Sequence, residues 1–265
     1  MTYFDTHAHY YDERFSGDEC PGGADALLER LFSENVCGII NIATSPDNYD
    51  AAIAQARRYP HMYTALGIHP TDTRPLTADP DPWMDGLRAR LLDPASRAVA
   101  LGEIGLDYHY PDTDKERQLA YFHAQMQLAR ELDVPVVIHD REAHADVLAV
   151  VSAYPTVRGV LHSCSCSAEM AREFVRRGYM VSFSGTITFK GARKTVECAA
   201  SLPPEVLLIE TDAPYLAPTP HRGELNHSGL LAHTNAALAA CLGKSEEETA
   251  ALTADNARRF FLTAS

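Results

Sequence analysis

Short apolar segments alternate with helical patterns along the whole chain. Eight of these segments have the composition of buried parallel strands: "YFDTHAH", "GIINIAT", "YTALGIHP", "AVALGEIGLD", "VPVVIHD", "RGVLHSC", "YMVSFSG" and "VLLIETD". Eight strand–helix units in roughly 250 residues predict an α/β fold, a single (β/α)8 TIM barrel, although a doubly wound open sheet uses the same units. No GxGxxG follows the first segment, which weakens the dinucleotide-binding alternative.

Two helices are predicted in more detail. Residues 114–133 place five apolar side chains at helical spacing, which indicates a core-facing stripe: Leu119, Phe122, Met126, Ala129 and Leu132. A last helix should begin at Ser245, because Ser245 and Glu248 have capping-box spacing, and Phe260 and Phe261 would anchor its end. The stretch "TRPLTADPDP" predicts a loop before a helix. With no repeat or linker in the sequence, we predict one domain over residues 1–265.

Composition narrows the class of protein. The chain is 46% hydrophobic and 22% charged, which is typical of globular proteins. No apolar run approaches the roughly 18 residues of a membrane span, and the N-terminus lacks the features of a signal peptide, so we expect a cytoplasmic protein. The six cysteines are scattered, which predicts reduced thiols. For Cys164 and Cys166 this favours small buried thiols over a soft metal site.

The net charge bears on possible partners. A formal charge of −13 argues against electrostatic binding of the nucleic-acid backbone over a large surface. A phosphate would have to be bound in a local pocket, where divalent cations held by carboxylates could supply the positive charge.

The first segment, "FDTHAH", carries the first chemical signal. In a strand, His7 and His9 point to the same side, because alternate residues share a face. Two imidazoles aimed at one point suggest a metal ion, although a pair of partly exposed polar residues would show the same pattern.

Side chains of metal-ligand type end several of the other predicted strands. Including the first segment, six such residues occur: His7, His9, Glu103, His139, His162 and Asp212. In a barrel the C-terminal ends of the strands meet on one face, so these residues should become neighbours. One buried His or Asp is usually a satisfied core group, but burying six without an ion would be costly. Six ligands exceed the need of one tetrahedral zinc, so we prefer two cations bridged by Glu103.

The motifs together resemble a known family. "FDTHAH", "GIHP", "LGEIGLDY", "VVIHDREA", "GVLHS", "SFSGTITFK" and "IETDAPYLAPTPHRGELN" are similar, in this order, to the TatD-type metal-dependent hydrolases. These are deoxyribonuclease-like enzymes of the amidohydrolase superfamily. The resemblance runs from "FDTHAH" to "NARRFF", nearly the whole chain, and seven ordered motifs make it specific.

The resemblance implies roles for particular residues. One divalent cation would be bound by His7, His9, Glu103 and Asp212, and another by Glu103, His139 and His162. Asp212 would also accept a proton from the attacking water, which makes Asp212 and Glu103 the expected catalytic residues. The implied reaction is hydrolysis of phosphodiester bonds in DNA, often from the 3′ end. Substrate contacts are expected from the matching motifs: His69, Arg141, Glu210 and Arg222. Either arginine suits a bidentate phosphate contact, and either could instead form a surface salt bridge.

Two stretches depart from the family pattern. After His162 the family usually has Cys-Phe-Ser-Gly, whereas this chain has Ser163, Cys164, Ser165 and Cys166. After Asn226 it usually has Glu-Pro, whereas this chain has His227 and Ser228. Neither change touches an expected ligand, so we expect altered substrate preference with the chemistry retained. For His227, an exposed loop position is favoured over a pocket group.

Three functions therefore compete. The first is a TatD-type deoxyribonuclease acting on DNA ends or small phosphodiesters with one or two cations, Mg, Mn or Zn. The second is a hydrolase of another bond, such as a phosphate ester, lactone or amide. The third is a non-catalytic binding module, against which the six intact ligand positions count. No membrane partner is expected, and the oligomeric state is open, with a monomer the simplest case.

Overall fold

Eight parallel strands form one sheet in the computed structural model, which describes residues 1–263. The strands are β1 (Tyr3–Ala8), β2 (Val36–Ala43), β3 (Met62–Leu66), β4 (Ala98–Asp107), β5 (Val136–Arg141), β6 (Gly159–Leu161), β7 (Met180–Phe183) and β8 (Leu207–Ile209). Each strand pairs in parallel with the next one along the chain. Each of the eight predicted segments overlaps one of these strands, with β2, β3 and β5 reaching one or two residues beyond the predicted bounds.

Helices follow the strands in the order that a barrel requires. Within the described chain they are α1 (Gly23–Glu34), α2 (Tyr49–Arg58), α3 (Asp81–Leu92), α4 (Lys115–Leu132), α5 (His144–Ala153), α6 (Ala168–Arg176), α7 (Arg193–Ser201), α8 (Leu231–Leu242) and α9 (Glu246–Phe261). None of these helices combines the length and the hydropathy that crossing a membrane requires.

The sheet closes where the segment after β8 meets the end of β1. The Asp212 N–H donates to the carbonyl of His7 at 2.8 Å, and the His9 N–H donates to the carbonyl of Ala213 at 2.7 Å. These bonds form a parallel bridge between Ala8 and Ala213. The predicted (β/α)8 barrel is thereby confirmed. The predicted domain ends at residue 265, and its residues 264–265 lie outside the described part of the chain.

The strands bury both of their faces. One set of apolar side chains comes from all eight strands and packs together with α9: Phe4, Ile40, Ile42, Ala65, Ala100, Val137, Val160, Met180 and Leu208. The alternating set packs against the surrounding helices and includes Leu66, Leu101, Ile138, Val181 and Ile209. Burial on both faces explains why the strands have nearly continuous apolar runs.

Both helices predicted in detail are present. In α4, Phe122, Met126 and Ala129 are buried, and Leu119 and Leu132 pack partly buried against the same core. Helix α9 begins after Ser245, whose side chain accepts the Glu248 N–H while the Glu248 carboxylate accepts the Ser245 N–H. Phe261 is buried in the cluster that lines the barrel, with Phe260 packed beside it. Residues 74–80 of the predicted loop lie outside any helix or strand, whereas its last two residues, Asp81 and Pro82, already begin α3.

Candidate metal centre

The six predicted ligands lie together at the C-terminal end of the barrel. His7 belongs to β1, Glu103 to β4 and His139 to β5. His9, His162 and Asp212 lie just beyond β1, β6 and β8. Four of the six are buried, and His139 and Asp212 are partly exposed. The barrel therefore gathers residues separated by as many as two hundred positions into one centre.

Four donor atoms converge on one side of this centre. His7 Nε2 lies 3.2 Å from both His9 Nε2 and Glu103 Oε2, and 3.6 Å from Asp212 Oδ1. His9 Nε2 lies 3.3 Å from the same Asp212 oxygen. Ligands about 2.0–2.2 Å from a tetrahedral ion stand about 3.3–3.6 Å from one another. The spacing of the His7, His9 and Asp212 atoms fits a divalent cation, and Glu103 Oε2, also predicted for the first ion, meets this group at His7.

The other oxygen of Glu103 faces a second group. Glu103 Oε1 lies 2.7 Å from His139 Nδ1, 3.0 Å from His162 Nε2 and 3.6 Å from His69 Nε2. Glu103 thus contacts both groups, one with each carboxylate oxygen. Within residues 1–263, ligand atoms lying within 4.8 Å of one another form three groups: His7, His9 and Asp212; His7, Glu103 and His162; and His69, Glu103 and His139. The two histidines predicted for the second cation, His139 and His162, both lie near Glu103 Oε1. The centres of their rings are 5.7 Å apart.

Hydrogen bonds behind the rings orient the nitrogen lone pairs. His9 Nδ1 lies 2.8 Å from the Ile42 carbonyl, to which only an N–H can donate, so Nε2 of the neutral ring carries the lone pair. His162 Nδ1 lies 2.9 Å from Glu210 Oε1, which leaves Nε2 to face Glu103. In His139 it is Nε2 that meets a supporting carboxylate, Asp107 Oδ2 at 3.2 Å, and Nδ1 faces Glu103. In all three rings the nitrogen that faces the centre is therefore free to bind a cation.

His69 differs from these three rings. The backbone N–H of Thr71 donates to His69 Nδ1 at 3.2 Å. Burial, together with the positive charge of His139, lowers the pKa of His69 to about 3, so the ring is neutral at pH 7. Its single proton then lies on Nε2, which faces the centre. His69 is suited to donate a hydrogen bond to a bound oxygen and is poorly suited to bind a cation.

Electrostatics keep the central carboxylate ionised. Burial raises the pKa of Glu103, but the imidazoles of His162, His7 and His69 and the hydrogen bond from His139 outweigh it and hold that pKa well below the usual value. Burial likewise lowers the pKa of His162, whereas Glu103 and Glu210 raise it well above the usual value. Without a cation, histidine protons balance the buried carboxylate charge, and a bound cation would take over this role.

The predicted substrate residues divide into two pairs. His69 and Arg141 border the central cavity, which has a volume of about 380 Å³. Glu210 is completely buried behind His162, where its Oε1 also accepts the Ser163 N–H at 2.8 Å. Arg222 is exposed, donates to the Ala217 carbonyl and lies 3.8 Å over the ring of Phe189. In this structure Glu210 and Arg222 do not border the cavity, because the first supports a ring and the second packs on its own loop.

Sequence reasoning missed two supporting carboxylates. Asp107 ends β4 within the motif "LGEIGLDY" and contacts His139, so its place at a strand end could have indicated it. Asp5 is fully buried and accepts hydrogen bonds from four groups: the N–H of His7, the N–H and hydroxyl of Thr211, and the hydroxyl of Ser228. No spacing signal identifies Asp5, since three of these donors lie more than two hundred residues away.

The two departures from the family pattern have different settings. Cys164 lies with its sulfur 3.6 Å from that of Cys166 and 3.8 Å from that of Cys198, and all three thiols are buried and free. They do not form a metal-ligand group within residues 1–263, in keeping with the prediction of buried thiols. His227 is partly buried away from the central cavity and accepts the Gly229 N–H. Ser228 contacts Asp5 and Tyr10.

A family model described as "TatD related DNase" matches residues 4–262 of the chain. The chain belongs to the TatD family. The predicted resemblance is confirmed over nearly the whole sequence.

Individual relatives of this TatD-family chain agree with that assignment. It is 34% identical to the metal-dependent hydrolase YabD of Bacillus subtilis, over 97% of this chain and 98% of the relative. It is 31% identical to the "3'-5' ssDNA/RNA exonuclease TatD" of Salmonella typhimurium, over 97% of this chain and 98% of that protein. The crystal structure of YjjV, a TatD homologue of Escherichia coli, matches with a TM-score of 0.89 and 32% identity, covering 99% of this chain and 98% of that one.

Family membership and geometry together define the class of activity. The TatD-family relatives are metal-dependent hydrolases, and the His, Glu and Asp groups at the barrel end could hold a metal ion. The chain is accordingly a metal-dependent hydrolase by family.

Proposed function

We propose that this protein is a phosphodiesterase that removes nucleotides from the 3′ end of single-stranded DNA, using two divalent cations of Mg, Mn or Zn. The observation that carries the proposal is the arrangement of Glu103, whose two oxygens face two separate groups of donor atoms. The relative named as a 3′-5′ ssDNA/RNA exonuclease supports this choice of substrate.

Each proposed ligand presents a suitable donor atom. His7, His9, Asp212 and Glu103 Oε2 would hold one cation, and Glu103 Oε1, His139 and His162 the other. Cations bound there would polarise a phosphoryl group and lower the pKa of water, which makes hydrolysis possible near neutral pH. The neighbouring carboxylates Asp107 and Glu210 keep the histidine rings oriented for this task.

In this proposal Asp212 accepts the proton of the attacking water. Its side chain is 16% exposed, against 5% for Glu103, so water can reach it from the cavity. Burial raises the pKa of Asp212, but the hydrogen bond from His9 and the charges of His7 and His162 lower it below the usual value. The side chain is therefore an ionised base at neutral pH.

Two side chains at the cavity are suited to binding the phosphodiester. The Arg141 guanidinium is 46% exposed and lies 4.0 Å from Asp107, too far for a strong ion pair, so it remains available to a phosphate. The proposed Nε2–H of His69 faces the same space. Together they would hold the phosphoryl oxygens while the bond to the terminal nucleotide breaks.

The test is hydrolysis of a 3′-labelled single-stranded oligonucleotide by chelator-treated protein with Mg, Mn or Zn added back. We expect the cations to restore release of labelled nucleotide, and we expect Glu103→Ala and Asp212→Asn to abolish it. His123→Ala, a change at an exposed histidine of α4, is the matched control and should retain activity. Cleavage that persists in either site variant would overturn the proposal. A protein that binds cations but leaves DNA intact would instead be tested on lactones, amides and other phosphate esters.

A further inference from the structure

Two exposed aromatic side chains stand beside the candidate metal centre. Among residues 1–263, the large apolar side chains that are exposed are Met1, Leu92, Tyr110, Val196 and Tyr215. The two tyrosines are 48% and 46% exposed, and both border the central cavity. Single exposed tyrosines are ordinary, but both exposed aromatic rings of this set lie at the same cavity.

Neighbouring groups hold both rings in place. The Tyr215 hydroxyl donates to Asp12 Oδ2 at 2.7 Å, and the Arg14 guanidinium carbon lies 5.8 Å from the centre of the ring. The guanidinium carbon of Arg141 lies 5.7 Å from the centre of the Tyr110 ring. An exposed ring that is already oriented loses little conformational entropy when a ligand stacks on it.

The cavity continues past each tyrosine. Tyr110 also borders a cavity of about 510 Å³, which shares Thr71 with the central one. Tyr215 also borders a cavity of about 480 Å³, which shares His139 and His162 with the central one. A chain that crosses the metal centre therefore has space on both sides, with one tyrosine at each transition.

The charge at the centre favours binding through bases. Among the described residues, the central cavity is bordered by one Lys or Arg, Arg141, and by five carboxylates: Asp12, Asp72, Glu103, Asp107 and Asp212. The cavity past Tyr110 is bordered by Arg74 and Arg117, each of which is paired with an aspartate. These surfaces therefore offer little net attraction to a run of phosphates beyond the one at the cations. Stacking of bases on aromatic rings does not need positive charge, and it is available only to bases that are not paired in a duplex.

We propose that Tyr110 and Tyr215 are stacking platforms for unpaired bases on the two sides of the phosphodiester that is cleaved. This inference rests on the proposed function and adds the property that selects the substrate: an unpaired base next to the scissile bond. The two tyrosines thereby discriminate single strands from duplexes and from chains without bases.

The experiment compares a single-stranded oligonucleotide with an abasic oligomer that has the same sugar–phosphate backbone. For the base-bearing substrate, Tyr110→Ala and Tyr215→Ala should each lower kcat/KM about tenfold, mainly through KM, because each variant loses the stacking of one base. Turnover of the abasic oligomer should be slow and unchanged by either variant. Tyr110→Phe keeps the ring and should retain activity. Tyr215→Phe keeps the ring but loses the bond to Asp12, so it should lose less than Tyr215→Ala. Leu92→Ala controls for loss of an exposed apolar side chain.

A second measurement does not depend on turnover. Fluorescence anisotropy of the labelled single strand with chelator-treated protein should show weaker binding for both alanine variants and unchanged binding for Tyr110→Phe. Equal losses on base-bearing and abasic substrates, or no loss on either, would overturn the stacking proposal while the nuclease function stands. A wild-type protein that cleaves neither substrate would overturn the nuclease function, and the stacking proposal with it.

Discussion

The Ser228 hydroxyl donates a hydrogen bond of 2.7 Å to the fully buried carboxylate of Asp5, two residues before His7. Burial raises the pKa of Asp5 to about 6, although the bonds from Thr211 and Ser228 oppose the shift. Ser228 also meets Tyr10, whose hydroxyl accepts the Ser228 N–H at 2.9 Å. Ser228 thus connects β1, which carries His7, to the loop after β8.

Removal of this hydroxyl should destabilise the fold. Ser228→Ala leaves a buried carboxylate with one donor fewer, and we expect the free energy of unfolding to fall by about 1–3 kcal/mol. Urea unfolding followed by circular dichroism measures the change. Ser33→Ala, at an exposed position of α1, should leave the midpoint unchanged. Equal midpoints for Ser228→Ala and the wild type would show that the bond contributes nothing to stability.

Divalent cations should stabilise the protein against heat. An ion that binds the folded centre but not the unfolded chain adds about 2.7 kcal/mol at a hundred times its Kd. For a chain of this size that corresponds to a Tm about 5 °C higher or more. Scanning calorimetry of chelator-treated protein with added Zn or Mn measures the shift. His9→Ala should lose most of it and His123→Ala should keep it, and the same shift in both variants would contradict binding at this centre.

Glu210→Gln should weaken metal binding and leave substrate binding intact. The Glu210 carboxylate accepts the bond from Nδ1 of His162. The amide of Gln would still accept this bond but would lack the negative charge that makes the ring a stronger ligand, and a change at such a partner typically costs about 10–100-fold in metal affinity. Titration of metal-free protein with Zn measures this affinity, and kinetics at saturating metal measure KM. Glu224→Gln, at an exposed carboxylate near α8, is the control. A raised KM with unchanged metal affinity would mean that Glu210 contacts substrate after all.

The two arginines of the predicted substrate set should behave differently. Arg141 borders the cavity, so Arg141→Ala should lower kcat/KM for a phosphodiester about 10–100-fold, as expected for one charge-assisted contact. Arg222 packs on Phe189 outside the cavity, so Arg222→Ala should leave kcat/KM unchanged. Steady-state kinetics on one oligonucleotide distinguish them, and similar losses in both variants would place Arg222 at the substrate.

His227 should make the fold sensitive to mild acid. Burial, with the nearby charges of Arg30 and His221, lowers the pKa of His227 to about 4 from the usual 6.5. The unfolded chain therefore binds more protons between these values, and the free energy of unfolding falls as the pH drops from 6.5 towards 4. His227→Asn should show a shallower fall in urea midpoints between pH 7 and pH 5 than the wild type. His123→Asn should follow the wild type, and identical slopes in all three proteins would exclude this role.

Much of the fold and of the centre could be predicted because the signals are local or follow from the barrel. Apolar runs mark the strands, the spacing of Ser245 and Glu248 marks the start of α9, and the meeting of strand ends brings His7 near Asp212. The groups behind the ligands could not be predicted. Glu210 contacts His162 and not the cavity because the two side chains form a hydrogen bond, and these residues lie 48 positions apart in sequence. The direction of Arg222 depends on where its loop meets Phe189.

The seam of the barrel and the candidate centre share three residues. The bonds that join the segment after β8 to β1 run through the backbones of His7, His9 and Asp212, whose side chains supply three of the donor atoms on one side of the centre. A local opening of this seam would separate the donors while the other strand pairs stay intact. Such openings require less free energy than global unfolding. Heat or denaturant should therefore abolish cation binding before the rest of the barrel unfolds. A bound cation, in turn, would hold the two sides of the seam together.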